Sequence, residues 1–196
     1  MFKGFTIRGS IFNYREVPER PIDTSRYRYT DNLYYPAIMR THKLFKGKYR
    51  LVMFGNSMIS GMHWNELLRR NDIANRGIGG DLAEGLYNRL ETVYACEPEL
   101  CVIECGINDI RVGISLEEYA YYMNAVVDSL QEHKIKPVVT HIMYLGCKYP
   151  KSDSLNRLVD VFNSRIEELG KQKGFDQIDL NKQMGPKGYM DDKYLL

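Results

Sequence analysis

The sequence has almost nothing that would staple or anchor it from outside its own core. Its four cysteines, Cys96, Cys101, Cys105 and Cys147, show neither CxxC spacing nor a matching histidine pair, which argues against a zinc site. Cys101 and Cys105 lie in an apolar run and are expected to be small buried hydrophobes. No apolar window approaches the roughly 20 residues of a membrane span. The amino-terminal MFKGFTIRGSIF lacks the continuous apolar core of a secretory signal. A reducing, cytoplasmic setting without a membrane partner is therefore expected. No strand-loop-GK[ST] phosphate loop exists, and in RGIGGD the third glycine of a GxGxxG pattern falls at Leu82, so nucleotide binding is not expected.

What the chain does have is length and an uneven charge. A domain of 196 residues buries roughly two-thirds of its unfolded surface, enough to fold without metal or disulfide. The net charge of +2 hides an asymmetry: Met1 to Arg50 carries eleven Lys/Arg against four Asp/Glu, the remainder sixteen against twenty-one. SRYRYTDNLYY (Ser25 to Tyr35) interleaves that positive charge with tyrosines. Such a stretch could bind a polyanion, but no nucleic-acid motif accompanies it. Residues 1–48 therefore read as an irregular basic arm lying across the acidic body or across a partner subunit of a homo-oligomer. Pro18, Pro21 and Pro36 interrupt it, leaving one short helix near Pro36 to Phe45.

From residue 49 the pattern becomes regular. YRLVMFG (Tyr49 to Gly55) is a continuous apolar run ending at glycine, as in a strand buried on both faces. A short helix burying Trp64, Leu67 and Leu68 follows, then a strand at Asp72 to Gly77. Asp81 with Glu84 resembles a capping box opening a helix with Leu82, Leu86, Leu90 and Val93 on one face. Glu99 to Gly106 repeats the strand-then-glycine pattern. Ser115 with Glu118 caps a helix bearing Leu116, Tyr119, Met123, Val126, Val127 and Leu130. Ile135 to Met143 is the next strand. Leu155, Leu158, Phe162, Ile166 and Leu169 mark a helix ending near Gly170 or Gly174, and Phe175 to Leu180 a fifth strand. Strands alternating with helices mean βαβ units, hence a three-layer α/β/α sandwich on a mostly parallel five-stranded sheet. Ligands of such sheets sit at the carboxyl ends of the strands, where GNS, RGIGGD and GIND all open.

Singly these loops are weak signals: Ser57 is a helix-capping hydroxyl and Asn108 a turn residue. Together they supply a serine on a strand-to-helix turn, backbone N–H groups from a glycine-rich loop and an amide donor from a third, which is what acyl transfer requires. In that order, FGNS, NRGIGGD and GIND resemble the blocks of the SGNH, or GDSL-type, hydrolases, from about Leu51 onward. The resemblance implies a flavodoxin-like fold and no metal or cofactor. It makes Ser57 the nucleophile, and the N–H groups of Ser57 and Gly80 with the Asn108 amide the oxyanion donors. Asp81 is expected to be structural, and Asp109 to hold its loop. Asn56 stands where the family usually has aspartate.

The family takes its acid and base from a DxxH segment near the carboxyl terminus, and none occurs after Gly106. GYMDDKYLL (Gly188 to Leu196) resembles the stretch leading into that segment, so residues 49–196 read as a domain whose acid and base lie just beyond Leu196. Asp191 and Asp192 read as solvated. His141 is expected on the catalytic edge as a partly buried histidine satisfied by backbone, His63 near the entrance, and His42 and His133 at the periphery. The expected activity is serine ester hydrolysis of short acyl esters, including O-acetylated carbohydrate. An O-acyltransferase using the same site, and a catalytically silent binding module, are the alternatives.

Overall fold

The apolar runs form strands because the sheet is covered on both sides. In the computed structural model, which describes residues 27–184, they are β1 (Leu51–Gly55), β2 (Ile73–Gly77), β3 (Leu100–Glu104), β4 (Lys136–Thr140) and β5 (Asp176–Ile178). All pairings are parallel, in the order β2-β1-β3-β4-β5. This is the expected doubly wound arrangement, with its switch in strand order at β1 and β3. Gly55 is level with Gly77 on one side and with Glu104 on the other, so the strands leading into the three motif loops end at one height.

Alternation sorts the strand residues onto two faces. On one, Val52, Phe54, Cys101, Ile103 and Val139 meet Leu86, Val93, Tyr119, Met123, Phe162 and Ile166. These come from α4 (Ala83–Asn88), α5 (Glu91–Tyr94), α7 (Leu116–Glu132) and α8 (Ser152–Lys173). On the other, Leu51, Met53, Ile73, Val102 and Val138 pack with Ile59 and a half-buried Trp64, from α2 (Ser57–Ser60) and α3 (Trp64–Leu67). The remaining helices are α1 (Tyr35–Leu44), α6 (Ile107–Val112) and α9 (Leu180–Met184). Among the described residues no helix is long and apolar enough to cross a membrane, and no group of three His, Cys, Asp or Glu could hold a metal.

Several expectations need correction. Leu67, Leu68 and Leu158 are exposed; leucines on short or long helices are not obliged to face the core, because a folded surface remains largely apolar. The helix expected from Leu82 to Val93 is two pieces, α4 and α5, parted at Arg89 and Leu90. GIND is not a loop but the first turn of α6. His42 is not peripheral: it is buried on α1, where burial and the Arg89 and Arg76 charges push its imidazole down to about 3. Expectations for residues 1–26, and for Gly188 to Leu196 with Asp191 and Asp192, lie outside the described residues.

Residues 27–48 lie against the body, where Arg28 pairs with Glu84 (3.4 Å), Lys43 with Glu91 (2.9 Å) and Lys48 with Glu97 (3.2 Å). Exposed pairs of this kind are worth about 0–1 kcal/mol each, so Tyr27 and Tyr29, packed against the main core, matter more to its docking. Beyond β4 the chain has no strand beside it. Asparagines take that role: Asn163 accepts from Ile142 N–H and donates to its carbonyl (2.8 and 3.0 Å). Asn156 does the same for Leu145 (2.9 and 3.0 Å), and Asn181 donates to the Ile142 carbonyl (2.9 Å) and accepts from Tyr144 N–H (3.1 Å).

Candidate active site

β1 ends at Gly55, Asn56 turns the chain, and Ser57 is the first residue of α2. Asn56 is fully buried, and its side-chain oxygen accepts from Met58 N–H (2.9 Å). The amide thus performs the turn-holding work of an aspartate at this position. Ser57 is exposed. Among the described residues no side chain hydrogen-bonds its hydroxyl.

The loop after β2 runs beside the serine: a Cβ on Gly79 would lie 3.9 Å from Ser57 Cβ. Gly80 has φ +75°, a left-handed conformation that disfavours any side chain. A Cβ there would also come within 3.0 Å of the Tyr27 hydroxyl. The amino-terminal segment thus crowds any side chain at this position. Asn108, in the first turn of α6, is nearly buried, and its amide donates to the Asp81 carbonyl (3.0 Å). An amide nitrogen carries two hydrogens, so one donor remains beyond this bond. The three loops meet at the switch point, as their strand ends require.

Asp81 does not cap α4. The residue before that helix is Leu82, and the first helical N–H, of Ala83, is taken by Asp109 from the neighbouring loop (3.1 Å). Asp81 instead accepts from Leu82 N–H (3.0 Å) and pairs with Arg89 (2.7 Å), with both side chains fully buried. Burial pushes the Asp81 carboxyl up, while the guanidinium beside it pulls it down. Burial is the larger of the two effects, so the carboxyl sits above its ordinary range even with a permanently charged arginine beside it. Arg89 also donates to the Arg76 carbonyl (2.6 Å) and the Gly55 carbonyl (2.9 Å), and lies 4.4 Å from the Phe54 ring centroid. One guanidinium therefore ties the end of β1 to that of β2 and to the residue after Gly80. The sequence reading missed it.

Two further carboxyls lie under the site. Burial, with the Asp109 charge nearby, pushes Glu104 up to about 7. Burial likewise pushes Asp109 up to about 7. Glu104 Oε2 and Asn56 Nδ2 are buried without a hydrogen-bond partner, although the Asn56 amide lies near enough to favour the ionised carboxyl. The native state holds protons here that an unfolded chain sheds near pH 4, so these groups make stability fall as pH rises from about 4.5 to about 7. His42, held neutral down to about 3, opposes one of them below about pH 6.5. Two carboxyls against one histidine leave a net uptake of about one proton on folding, so a thermal melt is expected to shift upward as pH is lowered from about 7 to about 4.5 and to change little above that window. Glu104→Gln should nearly flatten the profile between about pH 4.5 and 6.5, where Asp109 and His42 then offset each other; an identical pH profile in that variant would remove Glu104 from the account.

His141 follows β4 and is nearly buried. Its partners are side chains, not the expected backbone groups: Nε2 is 3.0 Å from Gln177 Oε1 and Nδ1 3.5 Å from Asp179 Oδ2. Both ring nitrogens are thus engaged along β5, and none of these contacts is with Ser57. His63 precedes α3 and is exposed, and His133 stacks on Tyr94 at 3.8 Å.

Solved structures of the same fold are plentiful. A candidate acylhydrolase from Bacteroides fragilis superposes with a TM-score of 0.70 at 19% identity, covering 84% of this chain and 85% of that one. A GDSL-like lipase from Bacteroides thetaiotaomicron gives 0.64 at 20%, covering 76% and 79%. A catalytic mutant of an acetylxylan esterase from Geobacillus stearothermophilus gives 0.60 at 16%, covering 70% and 77%. No curated protein sequence matches the chain. The family model of the GDSL-like lipases and acylhydrolases matches residues 53–196, taking in all three motif loops, and the chain belongs to that family.

Proposed function

We propose that the chain is a serine ester hydrolase domain acting on short acyl esters, including O-acetyl groups on carbohydrate, without metal or cofactor. The observation that carries this reading is the meeting of Ser57, the Gly79–Gly80 loop and Asn108 at one sheet edge. Ser57 Oγ attacks the ester carbonyl as its proton passes to a base; the C–O bond then breaks and the alcohol leaves with that proton. Water repeats the sequence on the acyl-serine. The developing oxyanion takes the N–H groups of Ser57 and Gly80 and the second Asn108 amide hydrogen. Acetylxylan esterases among the solved structures support the choice of acetyl esters.

Asn108→Ala should lower kcat by about 10²–10³-fold and move KM little, since the donor acts on charge that exists only in the transition state. A kcat within a few-fold of the parent would refute the assignment. Labelling with a serine-directed phosphonate tests the whole reading. It should modify Ser57, and substitution of that serine should abolish the adduct.

A silent binding module is favoured by one observation, the absence of any described side chain on the Ser57 hydroxyl. Absence of Ser57 labelling would establish it. Transfer of acetyl to an added sugar in preference to water would identify an acyltransferase.

A further inference from the structure

The amino-terminal segment does more than lie against the body. Asn32 Nδ2 donates to the Gly79 carbonyl at 2.5 Å, and the Tyr27 hydroxyl donates to the Gly80 carbonyl at 3.3 Å. The orientation of the Asn32 amide is set locally, because its oxygen accepts from Tyr34 N–H at 2.9 Å, leaving the NH2 for the loop. The segment is braced on both sides of these contacts. Arg28 N–H binds the Asp31 carboxylate (2.7 Å), Tyr29 packs on the main core, and the Tyr29 and Tyr35 rings meet at a tilt of 60° with centroids 5.1 Å apart.

The effect falls on two consecutive peptide units. The Gly80–Asp81 unit is held at both ends, its carbonyl by Tyr27 and its N–H by the Ile78 carbonyl (3.2 Å). The Gly79–Gly80 unit is held at its carbonyl by Asn32, while its N–H has no acceptor among the described residues. A trans peptide is planar, with C=O and N–H pointing to opposite sides. Fixing the Gly79 oxygen towards the segment therefore turns the Gly80 N–H away from it. The segment lies on the Cβ side of Gly80, and Ser57 on the Cβ side of Gly79. Accepting a hydrogen bond also polarises the peptide, which strengthens its N–H as a donor.

We infer that Asn32, assisted by Tyr27, is a positioning residue for the oxyanion hole: it aims and polarises the Gly80 N–H. The inference rests on the esterase reading above and extends the site to a part of the chain that touches none of the three motif blocks in sequence.

The test is Asn32→Asp, which keeps the oxygen that Tyr34 uses but replaces the donor facing Gly79 with a second oxygen. Tyr27→Phe is the milder companion, removing one hydroxyl. Asn32→Asp should lower kcat for an acetyl ester by about 10–100-fold, short of the 10²–10³-fold typical of deleting a donor outright. KM should stay within about two-fold, because an ester carbonyl draws far less on an oxyanion donor than the transition state does. Tyr27→Phe should give a smaller loss in the same sense. Amide NMR supplies a readout independent of turnover: the Gly80 resonance should shift and gain mobility in Asn32→Asp, while resonances of β1 and β3 stay in place.

A variant that retains the parent kcat, or one that loses kcat/KM only through a raised KM with the Gly80 amide unaltered, overturns the inference. If the unsubstituted protein neither turns over ester nor takes the phosphonate, the esterase reading falls instead. The Gly80 amide then decides alone: an unchanged signal in both variants overturns the pinning of this peptide, and selective loosening upholds it.

Discussion

Ser57→Ala is expected to abolish phosphonate labelling and to cut ester turnover by about 10⁴–10⁶-fold, the range found when a serine nucleophile is removed from an enzyme of this type. Two structural facts make the result interpretable. The Ser57 side chain is exposed and makes no contact that packs the core, so stability should change by less than about 0.5 kcal/mol. The turn is held by Asn56 and not by the serine, since it is the Asn56 oxygen that accepts from Met58 N–H. A large loss of activity with an unchanged melting curve therefore reports chemistry. Residual turnover within ten-fold of the parent would place the nucleophile elsewhere.

The second large effect is on folding. Arg89→Met keeps an apolar stem of comparable reach but removes the cation. It leaves the Asp81 carboxylate buried without its counter-charge, and the Gly55 and Arg76 carbonyls without their donor. Breaking one side of a buried pair typically costs about 3–5 kcal/mol, against a total stability of about 5–15 kcal/mol for a domain. Urea denaturation should show this as a lowered midpoint. Adding Asp81→Asn should recover part of the loss, because the stranded charge is then gone; Arg89→Lys should recover less than the parent, because an ammonium cannot reach three acceptors in a plane. A midpoint within error of the parent for Arg89→Met would show that the pair is compensated elsewhere.

The sheet was legible because its signal is local. LVMFG and LCVIE are short, almost wholly apolar runs, and they form β1 and β3 at the centre of the sheet. The three motif loops were legible because their residue types and order are unusual in combination. Arg89 was not, although a trace existed: it falls three residues after Leu86, at a position the apolar stripe would fill, and eight residues after Asp81. Buried partners at that separation follow only once α4 is known to stop at Asn88. Asp81 was misread for a related reason. A carboxylate ahead of a helix fits a cap, but the capping group came from Asp109, 26 residues away. Tyr27 and Asn32 left no trace, since their partners are 53 and 47 residues distant and nothing in a basic, tyrosine-rich stretch names a glycine loop as its target.

The asparagines beside Ile142 and Leu145 bear on how the molecule behaves in a crowded solution. Backbone groups left open along an extended stretch are a template on which a strand from another molecule can grow. Here the N–H and C=O of both residues are already taken by Asn156, Asn163 and Asn181. No open backbone group remains at either residue for a foreign strand to pair with, so amide side chains, instead of a neighbouring strand, close the chain where it leaves β4.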